Sequence, residues 1–291
     1  MQDSGKEAQR AGSPQVSVVM TTYRTAHILL KRAVESILGQ TLADLELILV
    51  FEPGDDGHRA LCAEISDPRL VVLVSAEKMG FTRSLNIGLR RARAHLVARM
   101  DSDDWSHPER LARQAAFLDA HPGIALVGTQ VRVVDAAGTV IGVRRAPANH
   151  ADIVAQFTFT NAMHHPTVMW DRARIGWDTL YNERFASAED LEMWLRLIEA
   201  GHRLANLDDM LLDYTVAGDM VRPLHNWRNN MRSRLLHWRL GLRHPKYLLG
   251  LAALSILALL PKRVIDMLTT RGPISDRIRA IEKHGPENQG L

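Results

Sequence analysis

The sequence is poor in cysteine, in aromatic residues and in long uninterrupted apolar runs. The single cysteine among 291 residues, Cys62, excludes an internal disulfide and a cysteine-based zinc site, and favours a reducing compartment. Aromatic residues make up 5% of the chain, and they do not alternate with basic residues as a base-stacking platform requires, which argues against a nucleic-acid partner. No signal peptide opens the sequence, and residues 1–14 are expected to form a loose tail. The expected location is the cytoplasm.

Acidic residues are scarce near the C-terminus. The whole chain carries a net charge of +3, but residues 222–291 contain 13 basic and 4 acidic residues, whereas residues 1–221 contain 23 basic and 29 acidic residues. This asymmetry predicts an anionic partner for the C-terminal part. Its apolar run, residues 247–260, is shorter than the roughly 20 residues that span a bilayer. It predicts either a helix on an anionic membrane surface or a helix packed on the domain or in a dimer interface.

Apolar segments and amphipathic stretches alternate in the first hundred residues, and the hydrophobic content of 46% is enough for a sizeable core. Predicted strands 16–20, 45–50, 70–74 and 95–100 are separated by predicted helices 27–38, 57–65 and 82–93. This alternation predicts βαβ units in a largely parallel sheet with helices on both faces. A helix that ends near residue 120, a hairpin over 124–143 and a helix over 189–200 are also predicted.

Three aspartates follow the fourth predicted strand directly. Asp101, Asp103 and Asp104 stand beyond the carboxyl end of a parallel strand, where such sheets bind ligands. Carboxylates combine with substrate phosphate oxygens to hold Mg²⁺ or Mn²⁺. The alternative is a turn before a helix, because Ser106 and Glu109 have the spacing of a capping box.

Five ordered segments resemble glycosyltransferase family 2, whose members have the GT-A fold. They lie between residues 15 and 215 and read VSVVMTTYRTAHILLKRAVESILGQTLADLELILV, GFTRSLNIGL, ARMDSDDWSHPERLARQ, HHPTVMW and AEDLEMWLRLIEAG. The resemblance implies a GT-A domain over 15–221, followed by a basic helical extension over 222–291. It implies an inverting hexosyltransferase that moves a sugar from a nucleotide diphosphate, with UDP as the expected nucleotide, to a glycan or lipid-linked glycan in polysaccharide biosynthesis. Mn²⁺ or Mg²⁺ would be the cofactor.

By matched position, the resemblance also implies roles for individual residues. Asp190 would be the general base that takes the proton of the acceptor hydroxyl, while Asp103 would bind the metal and Asp101 the ribose. Asp104 would support the turn. The other donor-binding residues would be Thr21, Tyr23, Glu52, Arg83 and Asn86, and those on the acceptor side would be Glu189, Trp194 and His165.

Several of these positions have an ordinary structural interpretation as well. The segment from Ser187 to Asp190 also has the pattern of a capping box, which would place its acids in a first helical turn. Trp194 lies on the apolar stripe of its predicted helix and is as well suited to core packing as to stacking on a sugar. His165 and its neighbour His164 are candidates for structural roles, with His165 preferred as the substrate contact.

The sequence departs from the family pattern at two places. Glu52 stands where relatives usually have an aspartate that binds uracil, and its longer side chain leaves another nucleotide open. Ala217 replaces a histidine that often completes the metal or diphosphate site. Either Asp103 and the diphosphate suffice, or the metal is held more weakly, or His225 enters from the following segment.

Two other functions are compatible with a similar fold. A nucleotidyltransferase generally has a glycine-rich phosphate loop after its first strand, whereas residues 20–28, MTTYRTAHI, contain no glycine. A sugar-nucleotide-binding module without activity would fit the missing histidine, but intact Asp103 and Asp190 argue against it. The sequence thus predicts a glycosyltransferase, peripheral on the inner face of the cell membrane, and leaves the oligomeric state open.

Overall fold

The computed structural model describes residues 12–54, 57–216, 224–243 and 247–252. Its strands are β1 Val16–Thr22, β2 Leu45–Phe51, β3 Leu70–Val74, β4 Leu96–Asp101, β5 Trp105–Ser106, β6 Ile124–Val134, β7 Val140–Arg144, β8 Met169–Asp171 and β9 Arg203–Thr215. Its helices are α1 His27–Leu38, α2 Gly57–Glu64, α3 Phe81–Arg91, α4 Arg110–Ala120, α5 His150–Phe157, α6 Arg172–Ile175, α7 Glu189–Glu199, α8 Leu224–Leu236 and α9 Leu240–Arg243. A 3₁₀ turn covers His165–Thr167.

The strands within the described residues form one sheet in the order β3-β2-β1-β4-β8-β6-β9-β5, with β7 paired to β6. Strands β1, β2, β3 and β4 pair in parallel, which confirms the predicted βαβ units. The second half is mixed, because β8 is antiparallel to both β4 and β6, while β6 and β9 are parallel. The β6–β7 hairpin and helices α4 and α7 also form where they were predicted.

Apolar side chains cover both faces of the central strands. In β1, Val18 and Met20 enter one hydrophobic cluster and Val19 enters the other, because successive side chains of a strand point to opposite faces. Helices on both faces of the predicted sheet would bury all four parallel strands, but β3 is not fully buried. It is the edge strand of the sheet, and its residues stay partly exposed.

The helices that follow β9 pack against the domain. The guanidinium of Arg234 in α8 donates a hydrogen bond to the Phe157 carbonyl at 2.9 Å, and the Tyr247 hydroxyl donates to the Arg234 carbonyl at 3.2 Å. Residues 217–223, 244–246 and 253–291, with Ala217 and most of the predicted apolar run, lie outside the described residues. Within the described residues, no helix combines the length and apolarity needed to cross a membrane.

Candidate active site

The carboxyl ends of β1, β2 and β4 meet at one edge of the sheet. Thr21 in β1 pairs in register with Asp101 in β4, and the backbone N–H of Glu52 donates to the Thr22 carbonyl at 3.3 Å. Parallel neighbours place these ends side by side. The structure therefore brings together three of the predicted donor-site residues: Thr21, Glu52 and Asp101.

Several elements hold the acidic turn after β4 in place. The Arg32 guanidinium donates to the Asp103 carbonyl at 3.2 Å and to the Thr215 hydroxyl at 2.9 Å. Asp104 is fully buried and accepts a hydrogen bond from the Thr215 backbone N–H at 2.9 Å. These contacts confirm that Asp104 supports the turn.

The capping-box alternative for this turn is wrong. Ser106 lies in strand β5, and its hydroxyl accepts a hydrogen bond from the Gln40 amide at 3.1 Å. Helix α4 begins at Arg110, and its N-cap residue Glu109 makes no side-chain cap. The aspartates therefore do not belong to a helix start.

Negative charge is concentrated at the two partly exposed aspartates of the turn. Burial and the charge of Asp101 raise the pKa of Asp103 above its ordinary value. Asp101 forms an ion pair with the guanidinium of Arg99. A carboxyl group whose ionisation is opposed by burial and by a neighbouring carboxylate is a suitable environment for a divalent cation.

The residues present fit a divalent cation that is shared with a substrate. Within the described residues, no group of three or more His, Cys, Asp or Glu side chains is arranged to enclose a metal. Mg²⁺ and Mn²⁺ are commonly held by one or two carboxylates together with phosphate oxygens and water. Asp103 would supply the protein ligand, and a donor diphosphate and water would supply the rest.

The second acidic pair begins helix α7. Ala188 precedes the helix in a left-handed conformation with φ 61° and provides no side-chain cap, so the predicted capping box is wrong. Both acids nevertheless lie in the first helical turn, as that alternative expected, and the Asp190 carboxylate accepts a hydrogen bond from the Leu191 N–H at 2.7 Å. The Asp190 carboxylate accepts a hydrogen bond from the Asn161 amide at 2.6 Å. Burial, together with the charge of Asp190, raises the pKa of Glu189 to about 8.

His165 lies beside the second acidic pair. Its Nε2 is 2.8 Å from the Tyr181 hydroxyl, and its Nδ1 is 3.7 Å from a Glu189 carboxylate oxygen. Burial, followed by the positive charge of Arg99, holds the pKa of His165 well below its usual range. The imidazole is therefore neutral at pH 7. His164 is partly buried, and this burial, followed by the charge of Arg144, lowers its pKa to about 4.

Trp194 does not have the surface position expected of a residue that stacks on an acceptor sugar. It is fully buried in the hydrophobic core, where its ring makes edge contacts with His165 and Tyr181 at centroid distances of 6.0 and 6.5 Å. An indole with no exposed face cannot stack on a ligand. The expectation is corrected, and the core-packing interpretation holds.

Arg99, which the sequence reasoning missed, connects the two acidic groups. Its guanidinium is buried, with Nε and Nη1 making no hydrogen bond, and it lies 5.4 Å from the centre of the Phe81 ring. Its charge lowers the pKa of Asp103 and of Glu189, as well as that of His165. The sequence signal that could have revealed Arg99 is the presence of a basic residue inside an otherwise apolar predicted strand.

Tyr181 was missed as well, since no local pattern marked it. Burial raises the pKa of its hydroxyl, and the charges of Glu189, Asp190 and Asp101 raise it further. The Tyr181 hydroxyl is therefore close enough to carboxylates of both acidic groups for their charges to raise its pKa. The two groups, about ninety residues apart in sequence, face a common region.

The remaining donor-site candidates surround the carboxyl edge. Tyr23 is partly exposed, and the Lys78 ammonium lies 4.6 Å above its ring. Both carboxylate oxygens of Glu52 accept hydrogen bonds, one from the Met79 N–H at 3.1 Å and the other from the Ser84 hydroxyl. Glu52 therefore orders the loop before α3, and its contact with a nucleotide stays a prediction.

Two predicted donor-site residues in α3 contact the segment before α7. The Asn86 amide accepts from the Tyr181 N–H and donates to the Tyr181 carbonyl, both at 2.9 Å. The exposed Arg83 pairs with Glu183 at 3.2 Å. Asn86 thereby holds the segment that carries Tyr181, and its direct donor contact, like that of Arg83, stays a prediction.

Comparisons with known proteins agree with this architecture. The family described as glycosyl transferase family 2 matches residues 17–170. The amylovoran biosynthesis glycosyltransferase AmsE of Erwinia amylovora is 32% identical over 215 residues, which is 73% of this chain and 80% of that protein. The O-antigen biosynthesis glycosyltransferase WbnJ of Escherichia coli is 32% identical over 212 residues, which is 69% of this chain and 79% of that protein.

Solved structures show the same fold. TarS 1-349 of S. aureus in complex with UDP aligns with a TM-score of 0.64 at 18% identity, covering 91% of this chain and 78% of that chain. The complex of the same protein with UDP-GlcNAc aligns with a TM-score of 0.61 at 17% identity, covering 92% of this chain and 88% of that chain. The likeness at this level of identity concerns the fold.

The sheet, its acidic edge and these comparisons define a glycosyltransferase with the GT-A fold. The chain belongs to glycosyl transferase family 2. The predicted fold and enzyme class are thereby confirmed, and neither the nucleotidyltransferase nor the inactive binding module is supported.

Proposed function

We propose that the protein is an inverting, metal-assisted hexosyltransferase that uses a UDP-linked sugar. The observation that carries this proposal is the convergence of two acidic groups, Asp101 with Asp103 and Glu189 with Asp190, around the buried Arg99. A single in-line displacement needs positive charge at the leaving diphosphate and a carboxylate base at the attacking hydroxyl. UDP as the nucleotide is supported by the TarS structures, whose ligands are UDP and UDP-GlcNAc.

Asp190 is the proposed general base. The Asn161 amide and the Leu191 N–H donate to its two carboxylate oxygens at 2.6 and 2.7 Å, which fixes the orientation of the group. Glu189, whose pKa is raised to about 8, is protonated at pH 7, so that it can donate a hydrogen bond to substrate while Asp190 accepts the proton. Separate environments thus give the two neighbouring carboxyl groups different roles.

The turn from Asp101 to Asp104 is the proposed donor site. Asp103 would hold the cation and Asp101 the ribose, while Thr21 and Tyr23 line the nucleotide side of the same edge. A divalent cation, when bound there, supplies positive charge that stabilises the departing diphosphate. The charge of Arg99 opposes the rise in the pKa of Asp103 that burial and the charge of Asp101 cause.

The acceptor in this proposal is a hydroxyl of a glycan or lipid-linked glycan at the inner face of the cell membrane. Relatives named for the biosynthesis of amylovoran and of O-antigen support a polysaccharide product. The basic C-terminal segment supports a peripheral position on an anionic membrane.

The test of the base is Asp190→Asn. Loss of the proton acceptor should lower kcat by at least about a hundredfold, in the range that general base catalysis contributes, while the Kd for the UDP-sugar stays within about twofold. Sugar transfer is measured with a panel of UDP-sugars, and donor binding by calorimetry with Mn²⁺. Turnover at the parental rate would show that Asp190 is not the base.

Asp103→Asn is the matched comparison, because it should affect donor binding, which Asp190→Asn leaves nearly unchanged. It should weaken donor binding in Mn²⁺ and leave the weaker binding in EDTA unchanged, because only the cation-dependent part is removed. If Mn²⁺ strengthens donor binding equally in both proteins, Asp103 does not hold the cation.

A further inference from the structure

The helices after β9 present a surface that contains only apolar and arginine side chains. Among the described residues from 228 to 252, every exposed side chain belongs to one of these two kinds, and residues 222–252 contain no Asp or Glu. We name this surface the Leu/Arg face; it consists of Arg228, Arg232, Leu235, Leu236, Trp238, Arg239, Leu242, Arg243, Leu248, Leu249 and Ala252.

Close packing fixes the inner side of these helices. A Cβ added to Gly241 would lie 2.1 Å from the Leu248 side chain, and one added to Gly250 would lie 1.6 Å from the Thr158 side chain. His237, also on the inner side, contacts Glu199 at 2.7 Å. The outer side chains are therefore held out in solvent by a packed support.

The exposed apolar residues are large. Trp238 is 47% exposed, Leu242 is 68% exposed and Leu249 is 73% exposed. Several large apolar side chains left exposed on neighbouring elements of a folded domain indicate an interaction site. The arginines exposed on the same elements indicate that the partner carries negative charge.

The Leu/Arg face borders the acceptor side of the candidate site. Asn229 in α8 donates to the Ser187 hydroxyl at 2.8 Å, two residues before Glu189, and the Arg232 guanidinium lies 5.0 Å from the centre of the Phe185 ring. A groove of about 340 Å³ runs between α8 and this segment, lined by Asn182, Arg184, Phe185, Arg232, Leu235 and Leu236. Apolar and cationic groups thus continue from the face toward α7.

We infer that the Leu/Arg face docks on the surface of an anionic phospholipid bilayer. Leucine and tryptophan side chains enter the boundary between headgroups and acyl chains, while arginines contact lipid phosphates. A second copy of the chain fits less well, because a two-fold interface would bring together two copies of a face that carries arginines and no Asp or Glu. Nucleic acid, another anionic partner, fits less well because leucine side chains cannot stack on bases.

Docking in this orientation holds the end of α7 that carries Glu189 and Asp190 close to the membrane. An acceptor hydroxyl on a lipid-linked glycan then reaches the base without leaving the bilayer surface. This consequence rests on the proposed function, whereas the docking itself does not.

The test uses the full chain in flotation with vesicles of phosphatidylcholine alone or mixed with phosphatidylglycerol. The parent protein should float with the anionic vesicles and stay behind with the neutral ones. The double variant Trp238→Ser/Leu242→Ser should bind about a hundredfold more weakly, since each buried side chain contributes about 1.5–3 kcal/mol. Arg239→Gln/Arg243→Gln should bind about thirtyfold more weakly, since each arginine near an anionic surface contributes about 1 kcal/mol.

The control is Val140→Thr/Ile141→Thr, which removes exposed apolar groups from β7. It should float like the parent protein. Unchanged flotation of Trp238→Ser/Leu242→Ser would overturn the inference. Conversion of an oligomer into monomers by this variant, measured by light scattering with flotation unchanged, would assign the face to a second copy.

Hydrolysis of UDP-sugars in solution separates this inference from the proposed function. The face variants should hydrolyse donor at the parental rate, because none of the changed residues lies in the site. Flotation without hydrolysis of any donor would overturn the proposed donor and leave the docking intact. Hydrolysis of a donor without flotation of the parent protein would overturn the docking and leave the proposed donor intact.

Discussion

Arg99 shows how one buried side chain can serve two distant acidic groups. It pairs with Asp101 in its own strand, and its charge also lowers the pKa of Glu189 at the start of α7. A buried guanidinium is stable only where carboxylates compensate for its lost hydration. Arg99 therefore lowers the pKa of carboxyl groups in both acidic groups, while the carboxylate that compensates most directly for its own burial is Asp101.

Removal of this charge should shift the pH dependence of donor binding. In Arg99→Met, the pKa of Asp103 should rise, because the charge that lowers it is gone. Mn²⁺-dependent donor binding should then begin at a higher pH than in the parent protein, because a larger fraction of Asp103 is protonated at any given pH. Calorimetry between pH 5 and pH 9 measures the shift.

Arg99→Lys keeps the positive charge and is the matched control. It should restore the parental pH dependence even where donor affinity stays reduced. If both variants show the parental pH profile, Arg99 has a purely structural role.

At the scale of elements, helix α3 approaches the sheet so closely that only glycine fits at one position. A Cβ on Gly88 would lie 2.5 Å from Val19 Cγ1 in β1. The same helix carries Asn86, which holds the backbone of Tyr181 through two hydrogen bonds. The depth at which α3 packs thus determines where the segment before α7 lies.

Gly88→Ala should displace α3 from β1 and destabilise the fold. The free energy of unfolding should fall by about 1–3 kcal/mol, which is typical of an overpacked core. Urea denaturation measures the change. Gly123→Ala is the control, because a Cβ at this exposed position meets nothing within 4 Å; its stability should stay within about 0.5 kcal/mol of the parent. Equal stability of the two variants would contradict the close approach.

At the scale of the whole molecule, a buried histidine joins the C-terminal helices to α7. His237 contacts Glu199 at 2.7 Å and Glu192 at 3.7 Å, and Glu192 also pairs with Arg196. Burial alone would lower the pKa of His237, but the hydrogen bonds and charges of the two glutamates outweigh it and raise the pKa above its ordinary value. The protonated form therefore stabilises the attachment.

This attachment should weaken in alkaline solution. Because the pKa of His237 is raised in the folded state, its stabilising contribution is complete below the unfolded pKa of about 6.5 and is lost as the pH rises through the folded value. His237→Gln should therefore lower stability by about 2 kcal/mol at pH 6, in the range of a charged hydrogen bond, and by much less at pH 9. Thermal melting at both pH values tests this, and an equal loss at both would contradict it.

Sequence patterns alone determined the four parallel strands, the helices between them and the acidic turn after β4. These features depend on local alternation of apolar and polar residues, which sets strand and helix periodicity directly. The match of five ordered segments then identified the family, and it assigned to Asp190 the role of general base, which stays a prediction. The C-terminal asymmetry of charge was equally visible, since it is a property of composition.

Only the tertiary structure decided which distant residues meet. Trp194 has the same spacing whether its ring faces a cleft or the core, and its full burial depends on the packing of α7 against residues near His165 and Tyr181. The insertion of β8 between β4 and β6 likewise depends on pairing between strands far apart in sequence. Arg99 acquires its role because the fold places Glu189 within reach of its charge. Local pattern encodes backbone conformation and burial period, whereas contacts between remote side chains arise from the packing of whole elements.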